Sequence, residues 1–164
     1  MTNYFLVAIN HGIKLSQLAV LFTLAFEEEV VNKLRYIKII PEEEEDKVGN
    51  KFLCQLQKNP TPLFNFPEID KNFARGSVDS LDETLAHKVY YVENASGCNS
   101  LITGISPQLA RPYLYNWNRS IAATLKPEVI LVLNVEGLSV EQAADSLMAC
   151  LLYTSDAADD LLCV

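Results

Sequence analysis

The sequence lacks the excess of positive charge that a nucleic-acid-binding protein needs. It holds 13 Lys and Arg against 21 Asp and Glu, which gives a formal net charge of -8. Binding to a phosphate backbone depends on clustered basic side chains, so we predict no nucleic-acid partner. Long apolar runs are also missing. None approaches the roughly 18 residues of a membrane span, and no basic segment precedes the first apolar run. We therefore expect neither a signal peptide nor a membrane partner.

Paired cysteines are missing as well. The four cysteines, Cys54, Cys98, Cys150 and Cys163, show no C-x-x-C spacing and no metal-site pattern. The plain interpretation is a reduced, cytoplasmic protein. The composition, 49% hydrophobic and 21% charged, is ordinary for a globular protein. A length of 164 residues is enough for one domain with its own core.

Short apolar runs alternate with stretches of helical period along the chain. Strands are predicted at residues 4–9, 34–40, 88–93 and 128–133. Helices are predicted at 15–29, from about residue 80, at 112–125 and at 139–149. Continuous apolar strands that alternate with helices predict an α/β fold, with a mostly parallel sheet and flanking helices.

Several local features support these assignments. The expected inward residues are Leu18, Leu21, Phe22 and Ala25 in the first helix, and Tyr115, Ile121 and Leu125 in the third. Ser80 with Glu83, and Ser139 with Gln142, have the spacing of a capping box at a helix start. The acidic run at 42–46 is typical of a solvated loop or a helix start. The proline-rich residues 59–72 are expected to be irregular.

Ligands of parallel α/β sheets bind at the carboxyl ends of the strands. We therefore expect a site among the loops at 10–16, 93–97 and 134–138. In the first loop, Gly12, Lys14 and Ser16 are residue types of a phosphate-binding loop, G-x-x-x-x-G-K-[ST], but at the wrong spacing. An ordinary strand-to-helix turn with a solvated Lys14 is favoured, and His11 is interpreted as a turn residue. Weak anion binding at the helix start stays the alternative.

Glu93 ends the third predicted strand. A carboxylate at a strand end beside a phosphate loop commonly holds Mg²⁺, so Glu93 is a candidate metal ligand. The alternative is a solvated glutamate at the end of a strand. The nearby Cys98 has no His and Asp partner pattern that would make it a nucleophile.

Two stretches carry a family resemblance. "VENASG" at 92–97 resembles the V-E-G-A-G-G stretch of dethiobiotin synthetase-like P-loop proteins. The block at 118–147 resembles the N-terminal, dethiobiotin synthetase-like domain of the long form of bacterial phosphate acetyltransferase. The matching positions there are Asn118, Ile121, Ala122, Thr124, Leu125, Glu128, Glu141 and Gln142. The segment at 13–26 resembles that family's V-G-L-T-S-V-x-L, and "RYIKIIP" at 35–41 resembles its strand ending in K-P, with Lys38 as the matching lysine.

The resemblance implies a P-loop-like fold and a degenerate nucleotide or Mg²⁺ site formed by Gly12, Lys14, Ser16, Lys38 and Glu93. It also implies a regulatory or assembly role, with acetyl transfer between CoA and phosphate performed by a separate C-terminal domain. The expected partners are that domain and further copies of the same protein. Two alternatives stay open. One is an ATP-dependent synthetase of the dethiobiotin or cobyrinic acid a,c-diamide type, and the other is a non-catalytic interaction module.

The last residues of the chain resemble a translated sequencing adapter. "CLLYTS" at 150–155 is what such an adapter end encodes, and the alternative is a native amphipathic end. We therefore expect residues 1–149 to be an incomplete domain and 150–164 to be a non-native tail. A sheet truncated in this way is expected to expose an apolar edge.

Overall fold

The computed structural model describes residues 2–29, 34–41, 48–49, 51–53, 61–107 and 110–155. The strands are β1 (Asn3–Ala8), β2 (Arg35–Lys38), β3 (Ser100–Thr103) and β4 (Glu128–Val132). The helices are α1 (Leu15–Glu29), α2 (Phe66–Ala74), α3 (Val78–Ser96), α4 (Pro112–Leu125) and α5 (Val140–Ser155). None of the helices in these ranges is long and apolar enough to cross a membrane.

The strands form one four-stranded sheet in the order β2-β3-β1-β4, and all three strand pairs are parallel. Phe5 in β1 stands opposite Ile102 on one side and Val129 on the other. The chain therefore places β2 and β3 on one side of β1, then crosses over β1 to add β4. The predicted α/β fold with a parallel sheet and flanking helices is confirmed.

Both faces of the sheet are apolar because helices cover both. Side chains alternate along β1, so Phe5 and Val7 enter one core while Leu6 and Ala8 enter the other. The first core contains residues of α2, α3 and α4, among them Trp117, which is 2% exposed. The second core lies against α1. This double burial explains why β1 is an uninterrupted apolar run.

Residues 88–93 form helix, so the predicted third strand there is wrong. They belong to α3, in which Leu81, Leu85 and Val89 are buried at helical spacing, whereas Tyr90 and Tyr91 are 66% and 77% exposed. The helix ends at Gly97, which takes the left-handed conformation at φ 64°. The third strand is instead Ser100–Thr103.

The region before α3 also differs from expectation. Residues 66–72, expected to be irregular, belong to α2, which starts at Asn65 with its side chain accepting from the Glu68 amide at 2.9 Å. Pro67 occupies the first turn, where a missing N–H costs nothing. Helix α3 begins at Val78, ahead of the expected capping box. The acidic run at 42–46 lies outside the described residues.

The inward faces of two helices were predicted only in part. Among the α1 side chains described, which run to residue 25, Leu15, Ser16, Ala19 and Thr23 are buried, whereas the expected inward residues Leu21, at 62%, and Ala25 are exposed. In α4 the buried residues are Leu114, Trp117, Asn118 and Ile121. At the start of α5 the capping box is confirmed, since Ser139 Oγ accepts from the Gln142 amide at 3.2 Å and Gln142 Oε1 from the Ser139 amide at 2.9 Å.

Candidate functional site

The loops that follow β1, β3 and β4 meet at the carboxyl edge of the sheet. Their neighbouring strands lie side by side in the order β3-β1-β4, and the winding of the chain reverses at β1. Such a reversal opens a crevice at the strand ends, where ligands of parallel sheets bind. The predicted loops at 10–16 and 134–138 lie at this edge.

Asn10 joins the loop after β1 to the loop after β4. Its side-chain amide donates to the Asn134 carbonyl at 2.8 Å and accepts from the Asn134 amide at 2.9 Å. Ile9 continues the contact through its amide, which donates to the Val132 carbonyl at 2.8 Å. The side chain of Tyr115 donates to the Ile9 carbonyl at 3.3 Å. Four hydrogen bonds therefore tie the end of β1 and the start of its loop to the neighbouring loop, to β4 and to α4.

Asn118 fixes the loop after β3 in the same way. Its amide donates to the Ile105 carbonyl at 2.7 Å and accepts from the Ile105 amide at 2.8 Å. Gly104 lies beneath this contact and donates to the Leu6 carbonyl at 2.8 Å. A methyl group at Gly104 would lie 2.8 Å from Asn118 Oδ1, so no larger residue fits without displacing the clamp.

The first loop turns at Gly12, which has φ +83° and packs against the Asn134 side chain. This backbone conformation favours glycine. Lys14 and His11 are exposed, and the Lys14 carbonyl accepts from the amides of Gln17 and Leu18 at 3.1 and 3.3 Å. Lys14 thus occupies the helix start as in an ordinary strand-to-helix turn.

Ser16 faces protein rather than an open loop. It is 2% exposed, and Gly49 lies directly against the first turn of α1. A methyl group at Gly49 would lie 2.5 Å from the Gln17 nitrogen and 2.8 Å from the Ser16 carbonyl carbon. Backbone from a distant part of the chain therefore covers the turn at which a phosphate loop presents its hydroxyl and amides.

Lys38 lies at the carboxyl edge but away from the first loop. It ends β2, opposite Thr103 of β3, and is 7% exposed. Because β3 separates β2 from β1, two strand spacings of about 5 Å each place Lys38 roughly 10 Å from the end of β1. Its backbone carbonyl accepts from the Leu63 amide at 2.9 Å.

Glu93 lies at the opposite end of the sheet. It belongs to the last turn of α3, where its carbonyl accepts from the Gly97 amide at 2.9 Å, and α3 leads into the start of β3. That start meets the start of β1, since the Thr2 amide donates to the Asn99 side chain at 3.0 Å. The structure therefore does not bring Glu93 to Gly12, Lys14 and Ser16. In the ranges described, no three His, Cys, Asp or Glu residues come together as a metal site.

Asp70, Arg111 and Tyr113 form a cluster of titratable groups with shifted pKa values between α2 and the start of α4. Asp70 accepts from Tyr113 at 2.5 Å and pairs with Arg111 at 3.2 Å. The hydrogen bond from Tyr113, with that from Arg111, lowers the pKa of Asp70. This cluster joins α2 to the start of α4 and has a structural role.

A cavity of about 540 Å³ lies between β1, β4 and α4. Phe5, Val7, Val129 and Leu131 form its apolar floor, and Cys150 of α5 lies on its wall. Burial raises the pKa of the Cys150 thiol and of the neighbouring Tyr115. Tyr115, Asn116, Asn118 and Arg119 of α4 add polar groups to the lining, and the Asn118 side chain is committed to Ile105.

Fold and site define a class: a parallel α/β domain whose carboxyl-edge loops are fixed by asparagine clamps. Comparison with known proteins adds no family to this description. The chain matches no protein-family model, and no curated protein is significantly similar to it.

Sequence reasoning identified the loops but missed the residues that organise them: Asn10, Gly49, Gly104, Asn118 and Asn134. An asparagine in the loop just beyond a strand end, as at Asn10 and Asn134, is the signal that points to two of them. The partners of Asn118 and Gly49 are distant in sequence, and no local pattern identifies them.

Proposed function

We propose that this chain is the P-loop-like regulatory and assembly domain of a phosphate acetyltransferase-type protein. It binds its own catalytic domain and further copies of the protein, and it does not itself transfer acetyl groups. The proposal is carried by one observation on the first loop. It connects β1 to α1, as a phosphate loop does, but it lacks the glycine spacing and the open helix start that bind phosphate.

Three features support a non-catalytic role. Gly12, Lys14 and Ser16 lack the glycine spacing that wraps phosphate oxygens. Gly49 covers the first turn of α1, and the Asn10–Asn134 pair ties the loop to its neighbour. An ATP-dependent synthetase needs an open loop that positions ATP and Mg²⁺ for transfer.

The resemblance at 118–147 supports the family assignment less directly. Of its matching positions, Asn118 and Ile121 are buried in α4, whereas Thr124 and Glu128 are exposed. Packing positions report a shared fold more than a shared activity. A test therefore has to examine the rest of the protein.

Sequencing the intact gene from its source DNA tests this proposal. We expect an open reading frame that departs from the present sequence at residue 150 and continues into an acyltransferase domain. The full-length product should then convert acetyl-CoA and phosphate to acetyl phosphate and CoA, whereas residues 1–149 alone should not. A reading frame without such a domain would overturn the proposal.

A further inference from the structure

The cavity between β1, β4 and α4 is closed at one end and open at the other. Phe5 and Val7 on its floor are 0% and 7% exposed, whereas Val129 of β4 is 38% exposed. Asn116 and Arg119 of α4, which also line the cavity, are exposed. The cavity is therefore apolar inside and polar at its mouth, which lies between α4 and the start of β4.

The cavity has the size of a site for a small organic molecule. Its volume of about 540 Å³ falls within the range of such sites. Ala122, three residues after Arg119 on α4, lines it with a single methyl group, so a larger side chain at this position would fill part of the space. Among the described lining residues, Cys150 alone lies beyond residue 149, so the floor and the mouth do not depend on the last helix.

Arg119 supplies the charge at the mouth. It is the one charged side chain among the described lining residues, and no carboxylate in the described ranges pairs with it. Asn116 lies three residues earlier, so the two side chains are neighbours on the helix surface and both carry N–H donors. A guanidinium binds a carboxylate through two parallel hydrogen bonds. The mouth of the cavity therefore favours a carboxylate.

We propose that this cavity binds an amphipathic carboxylate. The apolar body of the ligand lies on the floor of the cavity, and its carboxylate binds Arg119 beside Asn116. Burial of the apolar body provides most of the affinity, and Arg119 selects the charge of the head group. The site is separate from the first loop, and the inference holds independently of the function proposed above.

The net charge of the whole chain makes this selectivity easy to recognise. At -8 it attracts cations and repels anions. Binding to the general surface would therefore favour an amine over a carboxylate with the same apolar body. A preference for the carboxylate requires a local positive charge, and Arg119 provides one at the cavity.

Calorimetric titration of the 164-residue chain with decanoate and with decylamine tests the proposal. We expect decanoate to bind with a Kd of about 100 μM, and about fivefold more tightly than decylamine. Arg119→Gln should weaken decanoate binding about fivefold and remove the preference, since an ion pair at an exposed mouth contributes modestly. Arg75→Gln, which removes an exposed arginine at the end of α2, is the matched control and should change neither affinity.

Filling the cavity distinguishes binding inside it from binding to the surface. Ala122→Leu places a larger apolar side chain in the cavity and should weaken decanoate binding by about tenfold or more. Ala123→Leu makes the same change at the next, exposed position of α4 and should leave the affinity unchanged. Circular dichroism spectra and melting curves of both variants serve as the folding control.

Protection of a cysteine locates the bound decanoate without any substitution. Cys150 lines the cavity, whereas Cys98 lies in the turn between α3 and β3, and both are half-buried free thiols. Decanoate at about ten times its Kd should slow the alkylation of Cys150 by iodoacetamide about tenfold and leave that of Cys98 unchanged. Mass spectrometry of the digested protein measures the two rates separately.

Four results would each overturn the proposal. They are decanoate binding weaker than about 1 mM, decylamine binding as tightly as decanoate, equal protection of Cys98 and Cys150, and an Arg119→Gln variant that keeps the preference for decanoate. Equal affinities of folded Ala122→Leu and Ala123→Leu variants would also contradict it, because decanoate would then bind outside the cavity.

Discussion

Asparagine side chains fix the carboxyl edge of the sheet. Asn10 and Asn118 each use both halves of their amide on the backbone of a distant loop, at 2.7 to 2.9 Å. An amide is the smallest side chain that donates and accepts in one plane, which a peptide group requires. These two residues therefore order the loops at this edge through hydrogen bonds within the protein.

Replacing Asn118 by Ala should destabilise the protein by about 2 kcal/mol or more, because it leaves the buried amide and carbonyl of Ile105 unpaired. Asn116→Ala, on the exposed side of the same helix, is the matched control and should cost less than about 0.5 kcal/mol. Urea unfolding curves give both values. Equal effects of the two substitutions would show that the Asn118 clamp does not stabilise the fold.

At the scale of residues, the sequence predicted the character of the first loop but not the contact that covers it. The spacing of Gly12, Lys14 and Ser16 indicated a loop that does not wrap phosphate, and the structure places Lys14 and Ser16 in an ordinary helix start. Gly49 packs against that helix start, and this contact depends on how distant segments of the chain pack together. No spacing rule predicts such a contact.

The largest error at the scale of elements concerns residues 88–93. Valine and tyrosine favour strands, but the intrinsic preference is worth only about 1 kcal/mol over its whole range. In α3 the buried positions Leu81, Leu85 and Val89 repeat every four residues, and this packing decides the outcome. Because of this error, Glu93 and the expected magnesium site were predicted at the carboxyl edge of the sheet. In the structure Glu93 lies at the amino edge, in the last turn of α3.

Two substitutions distinguish helix from strand in this segment. In a strand, positions 89 and 91 would share a face, whereas in α3 Val89 is 2% and Tyr91 is 77% exposed. Val89→Ala should therefore destabilise the protein by about 2 kcal/mol, and Tyr91→Ala by less than about 0.5 kcal/mol. Comparable losses at both positions in thermal or urea unfolding would contradict the helix.

At the scale of the whole molecule, the alternation of apolar strands with helices was sufficient to predict a parallel α/β sheet. The order of the strands was not predictable in the same way, because it depends on which of the connections between strands crosses β1 to reach its other side. The resulting order, β2-β3-β1-β4, places the first loop at the point where the winding reverses. Ligands of parallel α/β sheets bind at such a point, so the proposed non-catalytic role depends on the first loop being covered there.

Calorimetric titration of the chain with ATP and Mg²⁺ tests this central claim most directly. The account predicts no binding tighter than about 100 μM, equivalent to roughly 5.5 kcal/mol, and no effect of Glu93→Gln, since Glu93 lies at the far edge. Lys71→Ala, on the exposed surface of α2, controls for the loss of a positive charge. Tighter binding that Lys14→Ala abolishes and Lys71→Ala preserves would contradict the account and establish the first loop as a working nucleotide site.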